Sequence, residues 1–224
     1  IGQDWKELHR FESLNSDERS IVFYAENKAS MNHFKLLILE LTEKMNLQIC
    51  YVTSVKNDPL LSKENPKIKS FYIGDGSART KFFLTLKSKI LIMDMPDLNT
   101  FHIKRSMTFP VHYVYLFHSM FSIHSYLRKG AIDNYDTIFC VGPHHIDEIK
   151  ETEKVYGLKS KKLIKYGYGR LDTLISEKEN HVEHINPKNL ILIAPSYGDK
   201  NLLETCGIEL IEILLQLNFK VLLR

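Results

Sequence analysis

Apolar runs of strand length alternate with stretches of helical period along most of the chain, the pattern of βαβ units whose parallel sheet is covered on both faces. Residues 20–25 read as the first strand, and Ser30 is placed to cap a helix with apolar positions Phe34, Leu37, Ile38, Leu41 and Met45. A strand at 48–53, a surface connection at 58–69 containing Pro59 and Pro66, and a short strand at 70–73 follow. The turn 74–77 leads into a helix at 78–86. Residues 89–93 and 112–117 are near-continuous apolar runs, too short for helices, and predict central strands. The order then repeats as strand 137–141, helix 143–156 and strand 162–166, with Pro143 in the first helical turn and Gly157 at a left-handed cap.

The pattern breaks after Leu174. Residues 176–188 carry many charges and little to bury, and predict a linker. A fresh unit begins with strand 190–194, turn 195–198, helix 202–217 and strand 220–223. The expected organisation is an α/β domain over 1–175, a linker over 176–188, and the beginning of a second α/β domain over 189–224.

With 224 residues, 44% of them hydrophobic, the chain can build a substantial core, so disorder is excluded. Its 30 basic and 27 acidic residues are interspersed, which argues against a nucleic-acid partner while leaving room for a local phosphate site. Cys50, Cys140 and Cys206 are far apart, lie in or beside apolar segments that read as core, and form no disulfide framework. No apolar run approaches the roughly 18 residues needed to cross a bilayer, and the first residues lack the pattern of a secretory signal. These features predict a soluble, reduced, cytoplasmic chain. It begins without Met and stops in an apolar run at Arg224, so it reads as a fragment of a longer protein.

In open α/β sheets ligands bind beyond the carboxyl ends of the strands, where loops and helix N-termini converge. Four segments stand there. His118, followed by Ser119, ends the strand 112–117, and an imidazole in that place can take a proton from a hydroxyl near neutral pH; a hydrogen-bonded loop histidine is the structural alternative. Gly142, His144 and His145 open a helix. Adjacent histidines diverge on a helix, so they are no metal face, and no metal site is expected; His144 is a candidate to line the same opening as His118, or simply an exposed residue of the first turn. Gly167-Tyr168-Gly169-Arg170-Leu171-Asp172 allows a tight turn and offers Arg170 to a phosphate, or to an ion pair with Asp172. Finally, Ser196, Gly198 and Lys200 lie in a strand-to-helix turn suited to a pyrophosphate.

Taken in order, Val114-Tyr115-Leu116-Phe117-His118-Ser119, Tyr135-Asp136-Thr137-Ile138-Phe139-Cys140-Val141-Gly142, Gly167 to Asp172 and Ile191-Leu192-Ile193-Ala194-Pro195-Ser196-Tyr197 resemble the CDP-glycerol glycerophosphotransferase family, the teichoic-acid polymerase and primase group. The resemblance covers about 110–224. It departs at Ser119, where the family has Gly, at Gly169, where the family has Pro, and in lacking a Thr-Pro-x-x-Lys stretch. The family's Arg-Pro-His-Pro would begin at Arg224, where this chain ends.

The resemblance implies a GT-B fold of paired Rossmann-like domains, the first on the acceptor side and the second binding the donor nucleotide. It implies no metal or other cofactor. The donor would be a CDP-linked alditol, and the acceptor a lipid-linked or saccharide hydroxyl. His118 would be the catalytic base, Ser119, Gly142, His144 and Arg170 would contact substrate, and Ser196, Gly198 and Lys200 the donor phosphates. It further implies peripheral contact with the inner face of the cell membrane. The fragment alone is expected to be inactive. Another GT-B sugar-nucleotide glycosyltransferase or 2-epimerase, and a non-catalytic binding domain of polysaccharide assembly, remain open alternatives.

Overall fold

The computed structural model describes residues 2–180, 189–196 and 198–224. The chain divides into two compact units, Ile1–Glu177 and Lys178–Arg224. The first carries seven strands, β1 (Ile21–Ala25), β2 (Ile49–Thr53), β3 (Ile68–Tyr72), β4 (Ile90–Met93), β5 (His112–Leu116), β6 (Thr137–Cys140) and β7 (Lys162–Lys165). They form one parallel sheet in the order β3-β2-β1-β4-β5-β6-β7. The chain winds outward from β1 to β3, then returns to lay β4 against the other side of β1. That reversal makes β1 and β4 the switch point of a Rossmann-like sheet.

Burial on both faces explains the uninterrupted apolar runs. In β1, Val22 and Tyr24 join one core while Phe23 and Ala25 join the other, and β5 divides Tyr113 and Tyr115 from Val114 and Leu116 in the same way. The first face is covered by α1 (Gln3–Glu12), α4 (Ser77–Thr85) and α6 (Pro143–Tyr156), which contribute Leu8 and Phe11, Phe82 and Phe83, and Ile149. The second face is covered by α2 (Ser30–Leu39) through Phe34 and Ile38. Helix α1 is absent from the sequence reading. Its Phe11 ring packs edge-on against Phe71 at 5.4 Å and Phe82 at 5.3 Å, and burying that ring is worth about 1.5–3 kcal/mol.

Several expectations change in detail. Ser30 does not cap α2: Ala29 is the N-cap and Ser30 is the first helical residue. The helix continues into a π-helical turn at Glu40–Lys44. The connection after β2 is not wholly a surface one. Asp58 is buried and accepts hydrogens from the Tyr51 hydroxyl at 2.8 Å, the Thr53 hydroxyl at 3.1 Å and the Leu60 amide at 3.0 Å. It thereby caps α3 (Pro59–Ser62). The expected linker starts as helix, because α7 runs from Gly169 to Asn180; residues 181–188 lie outside the described residues.

At the end of α6, Gly157 takes the expected left-handed cap with φ 60°. Just beyond it Lys161 Nζ lies 3.4 Å from Glu153 Oε1, which also accepts the Lys161 amide at 2.9 Å. Their side chains are 4% and 9% exposed, so the pair is desolvated. Lys161→Met is expected to lower unfolding free energy by about 3 kcal/mol, because it strands a buried carboxylate. Urea titration should show Glu153→Gln in the same chain recovering part of that loss.

In the second unit, β8 (Leu190–Ile193) pairs in parallel with β9 (Lys220–Leu223), through α8 (Leu202–Thr205) and α9 (Gly207–Gln216). The single expected helix over 202–217 is therefore two. A Cβ on Gly207 would stand 3.0 Å from the Leu202 carbonyl oxygen, so glycine lets the chain turn tightly there. Cys206, at this break, is exposed rather than part of a core.

Candidate active site

The carboxyl edge of the large sheet collects polar side chains from four segments around the switch point. β5 delivers Phe117 and then His118, whose ring is partly buried. His118 Nδ1 lies 3.2 Å from the Tyr115 hydroxyl, and the Tyr168 hydroxyl donates to the His118 carbonyl at 3.1 Å. Tyr126 and His33 meet the imidazole edge-to-face, with ring centroids 5.7 and 6.0 Å away. These neighbours are rings with polar atoms, not the aliphatic walls of a packed core. When Nδ1–H donates to Tyr115, Nε2 carries the lone pair that can accept a hydrogen. Burial pushes the ring's pKa down, against a smaller upward pull from the Asp94 carbonyl, so His118 is neutral and able to act as a base at pH 7.

The loop after His118 is held by the turn between β6 and α6. His144 Nε2 lies 3.0 Å from the Met120 carbonyl and His145 Nε2 lies 2.8 Å from the Phe121 carbonyl. Glu148 accepts the Ile123 amide at 2.8 Å, at the start of α5 (Ile123–Tyr126). The two histidines thus divide the work. His144 is exposed and braces the loop from outside, as one of its two expected readings has it, whereas His145 is fully buried. Gly142 is the N-cap of α6 in an extended conformation, and a Cβ there would meet the His144 ring at 2.9 Å. Ser119 turns its hydroxyl back to accept the Phe121 amide at 3.3 Å.

Arg170 lies in the first turn of α7 and is exposed. Among the described residues no carboxylate stands within ion-pair distance of it, so the pairing with Asp172 that the sequence permits does not form. Its charge reaches His33, whose pKa it helps to depress.

Two residues at the switch point escaped the sequence reading. Asp94 directly follows β4, is 7% exposed, and accepts the Ser30 hydroxyl at 3.0 Å, a bond that ties the end of β4 to the start of α2. Burial raises its pKa from 3.8 to about 6. The rule that selects His118, a polar residue immediately after a strand, selects Asp94 equally well. His33 is 7% exposed and lies on α2, where its neighbours are read as core positions.

The remaining predicted residues lie in the second unit. Ser196 and Gly198 line a cavity of about 470 Å3 beyond β8, together with Pro195, Asp199 and Asn201. Asn201 caps α8 by accepting from Leu203 and Glu204. Lys200 has a left-handed backbone, φ 62°, and is exposed. Tyr197 lies outside the described residues. Among the described residues no group of three or more His, Cys, Asp or Glu is arranged to hold a metal ion, and no helix is long and apolar enough to cross a membrane.

The doubly wound parallel sheet, with a base-capable histidine and a buried carboxyl at its switch point, defines a Rossmann-like α/β protein, the fold class expected from the sequence. The chain belongs to the CDP-Glycerol:Poly(glycerophosphate) glycerophosphotransferase family, whose model matches residues 7–222. Among solved structures it is similar to the wall teichoic acid polymerase TagF, in a histidine-to-asparagine variant soaked with CDPG, with a TM-score of 0.54 at 11% identity. That match covers 99% of this chain and 60% of the TagF chain, and supports the GT-B-like fold class. The chain thus spans about 60% of the length of that structure. No curated protein matches the chain.

Proposed function

We propose that the protein carrying this chain transfers glycerol phosphate, or a related alditol phosphate, from a CDP-activated donor to a hydroxyl acceptor in the synthesis of a cell-surface polymer. The observation that carries this reading is the neutral His118 ring at the end of β5, fixed through Tyr115 and beside the switch point, in a chain whose family is defined by that transfer. His118 takes the proton of the acceptor hydroxyl. The oxygen attacks the β-phosphorus of the donor, the bond from that phosphorus to the bridging oxygen breaks, and CMP leaves with the electron pair. Such a reaction depends on positioning and charge stabilisation.

In this reading the unit containing β1 to β7 receives the acceptor, with Arg170 offering a forked donor to a phosphate and Ser119, Gly142 and His144 shaping the loop around the base. The unit containing β8 and β9 begins the donor side, where Ser196, Gly198 and Lys200 face the pyrophosphate. The acceptor is a lipid-linked or saccharide hydroxyl, and the enzyme works in the cytoplasm at the inner membrane face.

A release assay with the intact protein across CDP-alditols and UDP-sugars tests the reading. CMP released from a CDP-alditol in an acceptor-dependent manner is the expected result. Release of UDP or UMP from a sugar donor instead would identify a glycosyltransferase or epimerase and overturn it.

A further inference from the structure

His33 has a feature that the proposed chemistry leaves unused. It sits in the first turn of α2, directly after the switch-point strand β1, and is 7% exposed. Its Nδ1 is buried and has no hydrogen-bond partner among the described residues. Buried polar atoms are almost always paired, and an orphan beside a reactive group calls for a partner that arrives with the ligand. The ring stands 6.0 Å from that of His118 and 6.1 Å from that of Tyr168, and no direct hydrogen bond joins the two imidazoles among the described residues.

Burial, followed by the nearby His118 and Arg170, holds the His33 pKa down at about 4. At neutral pH the ring is therefore uncharged, with a hydrogen on one nitrogen and a lone pair on the other. A hydroxyl, which both donates and accepts, satisfies either nitrogen. A phosphate oxygen, which only accepts, satisfies one alone, and the exposed Arg170 nearby is the better anion partner.

We infer that His33 is a specificity-determining residue of the transfer site, which hydrogen-bonds a second hydroxyl of a polyol acceptor, adjacent to the hydroxyl presented to His118. The inference rests on the proposed transfer reading. Two neighbouring imidazoles, one poised as base and one with an unpaired nitrogen, match two adjacent hydroxyls of a single molecule. A monohydroxyl acceptor would leave the His33 nitrogen buried and unpaired.

The test compares, in the intact protein, an acceptor ending in glycerol phosphate with its counterpart ending in propane-1,3-diol phosphate, which lacks the secondary hydroxyl. Wild type should favour the glycerol end by at least about tenfold in kcat/KM, since a site built around a hydroxyl rejects an analogue without it. His33→Leu should bring the two acceptors within about twofold, mainly by raising KM for the glycerol end, while His33→Gln, which keeps a hydrogen-bonding group, restores part of the preference. An unchanged preference in folded His33→Leu, or an equal loss for both acceptors, would overturn the inference and leave His33 a structural residue.

Should His33→Leu fail to fold, the partial preference of His33→Gln decides. If the intact protein releases no CMP from any donor, the transfer reading fails by itself. Imidazole 15N shifts of His33 then decide on binding alone: a change with glycerol 3-phosphate but not with propane-1,3-diol phosphate supports the site, and no difference between them overturns it.

Discussion

His118→Ala in the intact protein is expected to cut CMP release by about a thousandfold, the middle of the range for losing a positioned general base. The geometry explains why the loss should fall on kcat rather than on binding. The His118 ring is gripped at Nδ1 by Tyr115, and its main chain is gripped by Tyr168, so removing the imidazole leaves the loop anchored through His144 and His145. The cavity beyond β8 lies in the other unit and keeps its own residues. Circular dichroism and thermal unfolding of the variant should match wild type. The pH profile supplies a second check: with burial pushing the His118 pKa below its usual 6.5, the midpoint of the acid-side fall in kcat/KM should lie below pH 6.5. Turnover close to wild type in a folded His118→Ala would remove the base assignment.

Asp94→Asn should make the protein more stable at pH 7.5 and leave stability at pH 4 nearly unchanged. The carboxyl of Asp94 holds its proton to about pH 6 in the folded chain, against 3.8 for an ordinary aspartate, because burial disfavours the charge. Glu26 adds to the rise, while the Ser30 hydroxyl and the Asp94 amide oppose it. The native state therefore binds the proton more tightly than the unfolded state. That contribution is fully present below about pH 4 and is lost as pH rises through 6, on the order of 3 kcal/mol at neutral pH. Asparagine keeps an acceptor for Ser30 and has no charge to bury, so the loss disappears. Denaturant titrations of both proteins at pH 4 and 7.5 measure it. Equal stabilities at both pH values would mean that Asp94 ionises at no cost. The same substitution should lower CMP release, since a buried carboxyl with a raised pKa at a strand end is a candidate functional position.

The strands were legible because a parallel sheet buried on both faces writes its central members as contiguous apolar runs, as in β1, β4 and β5. Helix α7 was not. Its sequence, rich in Glu and Lys with Leu171, Leu174 and Ile175 exposed, has no buried stripe over residues 169–178 for the pattern to show. The break between α8 and α9 was hidden for the opposite reason, because apolar spacing continues across Gly207 while the backbone does not. At the site, His118 could be found from its place at a strand end. His33 could not: a polar residue among Phe34, Leu37 and Ile38 looks like a helix position, and only the fold brings it beside His118. Ser30 shows how local rules yield to tertiary ones, since its hydroxyl turns to Asp94 instead of to the helix amides.

The pairing of β1 with β4 joins Ile21 to Ile90 and Tyr24 to Met93, contacts between stretches far apart along the polypeptide. Such closures are slow to form and bring no reward until the intervening turns and helices are in place. Ser30 and Asp94 are held together by that closure, and so are His33 and the ring of His118. During synthesis the surroundings of the His118 ring are therefore expected to mature late, after the segment carrying Tyr168 has emerged. Amide protection at β1 and β4 and recovery of activity after dilution from urea should then rise along the same time course.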